Sequence, residues 1–269
     1  MGKLGGGFIR IHEINLPTDL THITIVPFSD LHIGDVNFNE KKFLEYRRWV
    51  QDNPNTFAVL NGDIFDMGIK GSKGEDSEKV FKTQNEALMK AVSLFRPIQD
   101  RILYVLNGNH EYRLFRQGNF DITRDLCDHL DLNPAFAGYT GDEAYMLIRF
   151  GKQANGKPVI YTFYSIHGHG SGRSVACKMK HAENLALVCL ADIYMVAHSH
   201  TMGAIPDQYP VPDVRTKKMN YMSRKFISSG GYLMREKGYA VKAAYKHLEP
   251  GSPKIRLDGT QKKCSVTIE

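Results

Sequence analysis

Along the chain, short apolar runs alternate with polar segments of helical periodicity, and most of the runs end on a small polar cluster. His22–Phe28 is strongly β-branched and stops at Ser29 and Asp30, as a buried strand feeding a loop does. Phe57–Leu60 ends in Asn61, Gly62 and Asp63, and Ile102–Leu106 in Asn107, Gly108, Asn109, His110 and Glu111. Val159–Ile166 runs into His167, and Ile193–Ala197 into His198, Ser199 and His200. Asn39–Gln51 places Phe43, Leu44, Trp49 and Val50 on one helical face, and Ser77–Phe95 is periodic through Val80, Leu88, Val92 and Phe95. Leu114–Leu130 predicts helix interrupted at Gly118 and Asn119. Gly172 opens a further helix over Ser174–Leu190, with Cys177, Leu185, Leu187, Val188 and Cys189 expected in the core.

Phe8–Ile14 and Tyr145–Phe150 also read as strands, while Gly68–Asp76, rich in Gly, Lys and Ser, reads as an exposed loop. After Pro206, Pro210 and Pro212 the character changes. Lys225–Ser229, Tyr239–His247 and Lys254–Leu257 mix apolar with polar residues, as antiparallel strands with one wet face do. Strands alternating with helices, followed by a run of strands, predict an α/β fold built on mixed sheets, in one domain over residues 1–269. Strand order is not legible from this pattern.

Composition changes the picture little: 42% apolar and 24% charged residues are ordinary for a globular chain. No stretch approaches the ~20 apolar residues of a membrane span. Met1–Gly7 lacks the apolar core of a secretory leader, and Gly6 fails the myristoylation pattern, so a cytoplasmic location without membrane association is expected. The four cysteines are widely spaced with no C-x-x-C pair and are expected to be reduced core residues. Charge is uneven. Arg215–Glu269 holds 13 Lys and Arg against 4 Asp and Glu, an excess of nine, so of the total of +6 residues 1–214 carry −3. A basic C-terminal part suits a polyanion such as nucleic acid, and equally suits solvated strand faces.

Each polar cluster alone is a weak signal. Asp30 could be a turn residue, Asn61-Gly62-Asp63 a tight turn, and Gly108–Glu111 a helix start. Together they differ, because all the Asp, Asn and His residues follow buried strands, where open α/β sheets place their chemistry. Oxygen ligands mixed with imidazoles suit Mn²⁺, Fe or Zn²⁺ better than Ca²⁺. Two such cations ~3.5–4 Å apart can hold a phosphate and activate a shared water for in-line attack.

The ordered series Asp30-x-His32, Gly62-Asp63, Gly108-Asn109-His110-Glu111, His167 and His198-x-His200 resembles the calcineurin-like metallophosphoesterase superfamily. That resemblance implies a four-layer α-β-β-α sandwich with two mixed β-sheets and a dinuclear metal centre at the strand ends. It implies that Asp30, His32 and His200 hold one cation, that Asn109, His167 and His198 hold the other, and that Asp63 bridges them. The cations expected are two divalent ions, Mn²⁺ first, with Fe, Zn²⁺ or Ni²⁺ as alternatives. His110 matches the family's general acid and Asp66 its orienting partner, whereas Glu111 braces the loop. Two departures stand out. The usual Gly-His-x-His reads Ala197-His198-Ser199-His200, and His169 competes with His167, which is preferred because it directly follows a strand.

Arg173 and Arg113 are candidate phosphate contacts. The protein phosphatases of the superfamily carry Gly-Asp-x-x-Asp-Arg-Gly, but Met67 and Gly68 follow Asp66 here, which argues against that branch. Tyr221, Phe226, Tyr232, Tyr239 and Tyr245 lie among Lys and Arg in a way that resembles the nuclease branch related to double-strand-break repair exonucleases. The expected activity is a phosphodiesterase acting on nucleic acid or nucleotides. The alternatives are a monoesterase or pyrophosphatase for a small metabolite, a protein phosphatase, or a non-catalytic scaffold. Members of the superfamily often form homodimers, and oligomeric state is not legible in the sequence.

Overall fold

The computed structural model describes residues 9–66, 80–170, 172, 174–234, 236 and 247–269. Its strands are β1 Ile11–Asn15, β2 His22–Phe28, β3 Thr56–Asn61, β4 Ile102–Leu106, β5 Gly138–Gly141, β6 Glu143–Phe150, β7 Val159–Ile166, β8 Ile193–Val196, β9 Met202–Asp213, β10 Lys218–Ser229, β11 Lys254–Asp258 and β12 Cys264–Thr267. The α-helices are α1 Glu40–Asp52, α2 Gln84–Phe95, α3 Asn109–Gly118, α4 Ile122–Leu130 and α5 Val175–Asn184.

The strands form two mixed six-stranded sheets, in the orders β12-β11-β2-β3-β4-β5 and β1-β6-β7-β8-β10-β9. Alternation along each buried strand sends neighbouring side chains to opposite faces. In β2 and β3, Ile23, Ile25 and Val59 face the second sheet and meet Ile148, Phe163, Met195 and Ile227. Val26, Phe28, Ala58 and Leu60 face the other way, against Phe43 and Val50 of α1, Leu88 and Phe95 of α2 and Leu126 of α4. Tyr164, Tyr194 and Phe226 on the outer face of the second sheet pack with Ala182 of α5. The layers therefore run helix, sheet, sheet, helix, as the resemblance implies.

Capping sets the helix starts. The Asn39 side chain accepts from Lys42 N at 3.0 Å, and Thr83 Oγ1 from Glu86 N at 3.2 Å, each closing an otherwise unpaired N–H. The second cap shortens the helix expected over Ser77–Phe95, which begins at Gln84 and leaves Val80 exposed. The helix expected over Ser174–Leu190 ends at Asn184 and continues as a 3-10 turn over Leu185–Leu187. It covers one face of a sheet, so only one of its sides is buried. Leu185 joins the core, but Leu187 is 86% exposed, and Val188 and Cys177 are exposed as well. Among the cysteines only Cys127 is fully buried.

The prolines at 206, 210 and 212 lie inside β9 instead of preceding the strands. Because β9 is an edge strand, a missing N–H costs no ladder bond on its open side. Short β5 and β12 escaped the periodicity altogether, and β10 is longer than Lys225–Ser229. Residues 67–79, which include the whole of the expected loop Gly68–Asp76, and residues 239–246 of the expected strand Tyr239–His247 lie outside the described residues. Among the described residues no helix is long and apolar enough to cross a membrane.

Candidate metal centre

The site lies where β2, β3, β4, β7 and β8 end. Asp30, His32, Asp63, His198 and His200 all have left-handed backbones, with φ between 49° and 62°, and among the described residues only three other non-glycine residues share this conformation. Such φ values cost non-glycine residues energy and concentrate where side chains must be aimed. Backbone hydrogen bonds hold the loops in register: Asp30 N donates to Gly62 O at 3.1 Å, His32 N to Asp63 O at 3.1 Å and Tyr232 N to Asp30 O at 3.0 Å. From α5, Lys178 Nζ donates to Ser199 O at 2.8 Å and Thr201 Oγ1 at 2.9 Å, fastening the loop that carries both C-terminal histidines.

Asp63 sits at the N-terminus of α3. His110 N donates to its Oδ1 at 2.9 Å, so the helix end helps to hold the carboxylate. Glu111 accepts from Asp63 N at 3.0 Å, Phe65 N at 2.9 Å and Gly108 N at 2.8 Å, and so ties the β3 loop to the helix. This is the bracing role expected of it. Gly108 leaves no room for a side chain, because a Cβ there would stand 2.1 Å from Asp63 N.

The structure brings the sequence-predicted ligands together as two groups, Asp30 with His32 and His200, and Asp63 with His167 and His198. His200 Nε2 is 3.3 Å from Asp30 Oδ1, and His167 Nε2 is 3.1 Å from Asp63 Oδ2. One end of the Asn109 amide lies 2.7 Å from His198 Nδ1 and 3.1 Å from Asp63 Oδ2, and the other end 2.7 Å from Arg113 Nη2. Nitrogen inward makes hydrogen bonds of these contacts, whereas oxygen inward presents a further ligand to a cation. Arg113 steadies Asn109 in the nitrogen-inward orientation, where its Nη2 donates to the amide oxygen. Arg173 lies outside the described residues. His169 is exposed, while His167 is buried.

Electrostatics separate the histidines. Burial, with neighbouring His110, pushes His32 down to about 4, and burial with His167 does the same to His198. Burial also holds His200 well below its ordinary value. These rings are neutral and offer lone pairs. Burial opposes the charge on His110 too, but Asp63 and Asp66 prevail and raise its pKa, with His110 Nδ1 3.0 Å from Asp66 Oδ1. Burial would likewise lower His167, yet Asp63 lifts it to about 10. Burial alone would raise Asp63, but His167 and His110 hold it well below the usual carboxylate range. Burial raises Asp30 to about 7 against the pull of His167.

Among the described residues, Asp30 Oδ1 and both ring nitrogens of His32 are buried without a hydrogen-bond partner. Each such atom costs about 1–3 kcal/mol, and all three belong to one cluster of donors suited to a divalent cation. The residues fit the metal ions that the family implies.

Sequence reasoning treated Asn61 as a turn residue and missed its role. It is buried and joins the two sheets: its Nδ2 donates to Ile166 O at 3.0 Å, and its Oδ1 accepts from Tyr104 at 3.2 Å and Ser165 at 2.5 Å. Its carbonyl accepts from His167 Nδ1 at 2.8 Å, which turns Nε2 towards Asp63. The only sequence signal was an Asn ending a fully apolar run.

A four-layer α/β sandwich with Asp, Asn and His converging at its strand ends defines a metal-dependent hydrolase of phosphoesters. The chain belongs to the calcineurin-like phosphoesterase family, whose model matches residues 23–202. No curated protein matches it in sequence. Among solved structures it is similar to a conserved uncharacterized protein from Streptococcus pneumoniae described as a predicted phosphoesterase (13% identity, TM-score 0.37, covering 92% of this chain and 90% of that one). It is also similar to a metallophosphoesterase from Sphaerobacter thermophilus (14%, 0.38, 88% and 84%). A third is the calcineurin-like phosphoesterase YfkN from Bacillus subtilis (11%, 0.39, 91% and 90%).

Proposed function

We propose that the chain is a phosphodiesterase for nucleic acid or nucleotides, with two divalent cations, Mn²⁺ first among them, held by the two residue groups and shared through Asp63. When bound, such a pair supplies Lewis acidity for the phosphate and an activated water. The protein's own residues do the rest. Asp30, His32 and His200 form one wall and Asn109, His167 and His198 the other, with neutral rings on His32, His198 and His200. His110 stands beside Asp63, its Nε2 3.9 Å from Asp63 Oδ2, and holds a proton that Asp66 favours. It protonates the departing oxygen.

That charged His110–Asp66 pair carries the reading, because an alkoxide leaving from a phosphodiester needs an acid whereas an activated phenolate does not. His110→Ala is expected to keep its metals and to lose about 10²–10⁴-fold in turnover on alkyl esters, with far less loss on nitrophenyl esters. Equal losses on both would make His110 a phosphate ligand instead. Comparing bis(p-nitrophenyl) phosphate with the monoester, then single- and double-stranded DNA and RNA, tests the substrate class. Strong monoester hydrolysis with nucleic acids untouched would replace the diesterase reading by a monoesterase.

The aromatic residues proposed for base stacking divide. Phe226 and Tyr232 are buried in the core, whereas Tyr221 is 68% exposed. Tyr239 and Tyr245 lie outside the described residues.

A further inference from the structure

The far end of the second sheet carries a ribbon that the core does not cover. Among the described residues only Lys225–Ser228 of β10 pair with β8, so Lys218–Arg224 and the facing part of β9 pair there with each other alone. An isolated two-stranded ribbon is marginal in water. This one nevertheless exposes Tyr209, Val214, Met219 and Tyr221, Val214 by 86%. At ~3.3 Å per strand residue, Tyr221 lies roughly 25 Å, and Lys218 roughly 35 Å, along β10 from the end that bears the ligands.

Two features say what covers it. From Met202 to Ser229 there are five Lys and Arg against two Asp. Both aspartates are already engaged: Asp207 pairs with Arg224, and Asp213 accepts from Arg215 N and Thr216 N. Among the described residues Arg215, Lys217 and Lys218 at the tip have no acidic partner. At the root, Tyr161, Asp192, Tyr221, Ser223 and Lys262 line a cleft of about 340 Å³, and Lys262 holds Asp192 at 2.7 Å. Three prolines on the edge strand remove donors that an added strand would need. Two ribbons of the same positive sign also repel each other, so a second copy is the poorer occupant.

We infer that the ribbon and the cleft at its root hold the distal part of a single-stranded nucleic acid, with the cations on its backbone and Tyr221 under a base. The scissile phosphate of the same strand lies at the other end of β10. This rests on the nucleic-acid reading of the site, and the two can fail separately.

The probe is a labelled phosphorothioate oligo-dT of about 20 nucleotides, long enough to span the distance, titrated by fluorescence anisotropy into the metal-loaded protein. The variants are the combined Arg215→Ala, Lys217→Ala, Lys218→Ala protein and, separately, Tyr221→Ala. Both should bind about tenfold more weakly. In the triple variant the slope of log affinity against log salt should fall by about 2, at about 0.7 per lost phosphate contact. Hydrolysis of bis(p-nitrophenyl) phosphate should not change in either. Undiminished binding by both variants overturns the inference. So does a parent dimer that Tyr221→Ala dissociates while oligonucleotide binding persists, since the occupant is then a second copy. A parent that binds the oligonucleotide yet cleaves no nucleic acid refutes the substrate reading and leaves the ribbon's role standing.

Discussion

The two halves of the candidate metal centre are built differently. On one side, Asp63 is held by the N-terminus of α3 and by Glu111, and His167 by the Asn61 carbonyl. On the other, the parallel rings of His32 and His200 stand 5.1 Å apart, and among the described residues neither nitrogen of His32 has a hydrogen-bond partner. The first arrangement meets its ordering cost during folding, while the second leaves three polar atoms to be satisfied by what binds. Preorganised ligands bind more tightly, so the Asp63–His167–His198 half should be the high-affinity half and the Asp30–His32–His200 half the exchangeable one.

The largest effect should come from Asp63→Asn, which removes the carboxylate proposed to be shared by both halves. Turnover should fall by more than about 100-fold, and elemental analysis should show metal lost from both positions. A variant that keeps its full metal content and most of its turnover would break the comparison at its centre.

Asn61→Ala should be smaller and one-sided. It takes nothing from the ligand set, but it removes the side chain that seats the β3 end against β7. Metal affinity at the His167 half should drop by about 10–100-fold with the other half little changed. Stability should fall by about 1–3 kcal/mol, because partners on both sheets lose a buried hydrogen bond. Calorimetric metal titration with denaturant unfolding would separate the two effects, and an equal loss at both halves would show that Asn61 only supports the fold.

The smallest effect is one of order. Under limiting chelator the ion of the Asp30–His32–His200 half should leave first, giving two steps in a competition titration. A single step would mean that the link from His198 N to Asp30 Oδ2, 3.0 Å, couples the halves too tightly to separate.

The candidate ligand residues could be singled out because each closely follows a largely apolar run, and such runs become buried strands whose ends face one way in an α/β sandwich. β2, β4 and β7 begin and end where the pattern placed them. The helix over Ser174–Leu190 misled for a related reason. Apolar content predicts burial only where another layer covers every side, and among the described residues no layer lies above Leu187 and Val188.

The sequence by itself determined in what order the elements come and which residues stand as candidates for the chemistry, because both are written in local apolar and polar alternation. The tertiary structure alone decided the rest. Asn61 became a clamp only when β3 and β7 came together, since a hydrogen bond across two sheets leaves no trace in either strand. Pro206, Pro210 and Pro212 became an edge, and Tyr221 and its neighbouring cations a ribbon far from the metals, because direction and exposure depend on which strand lies alongside. Strand pairing is non-local, and no window of sequence contains it.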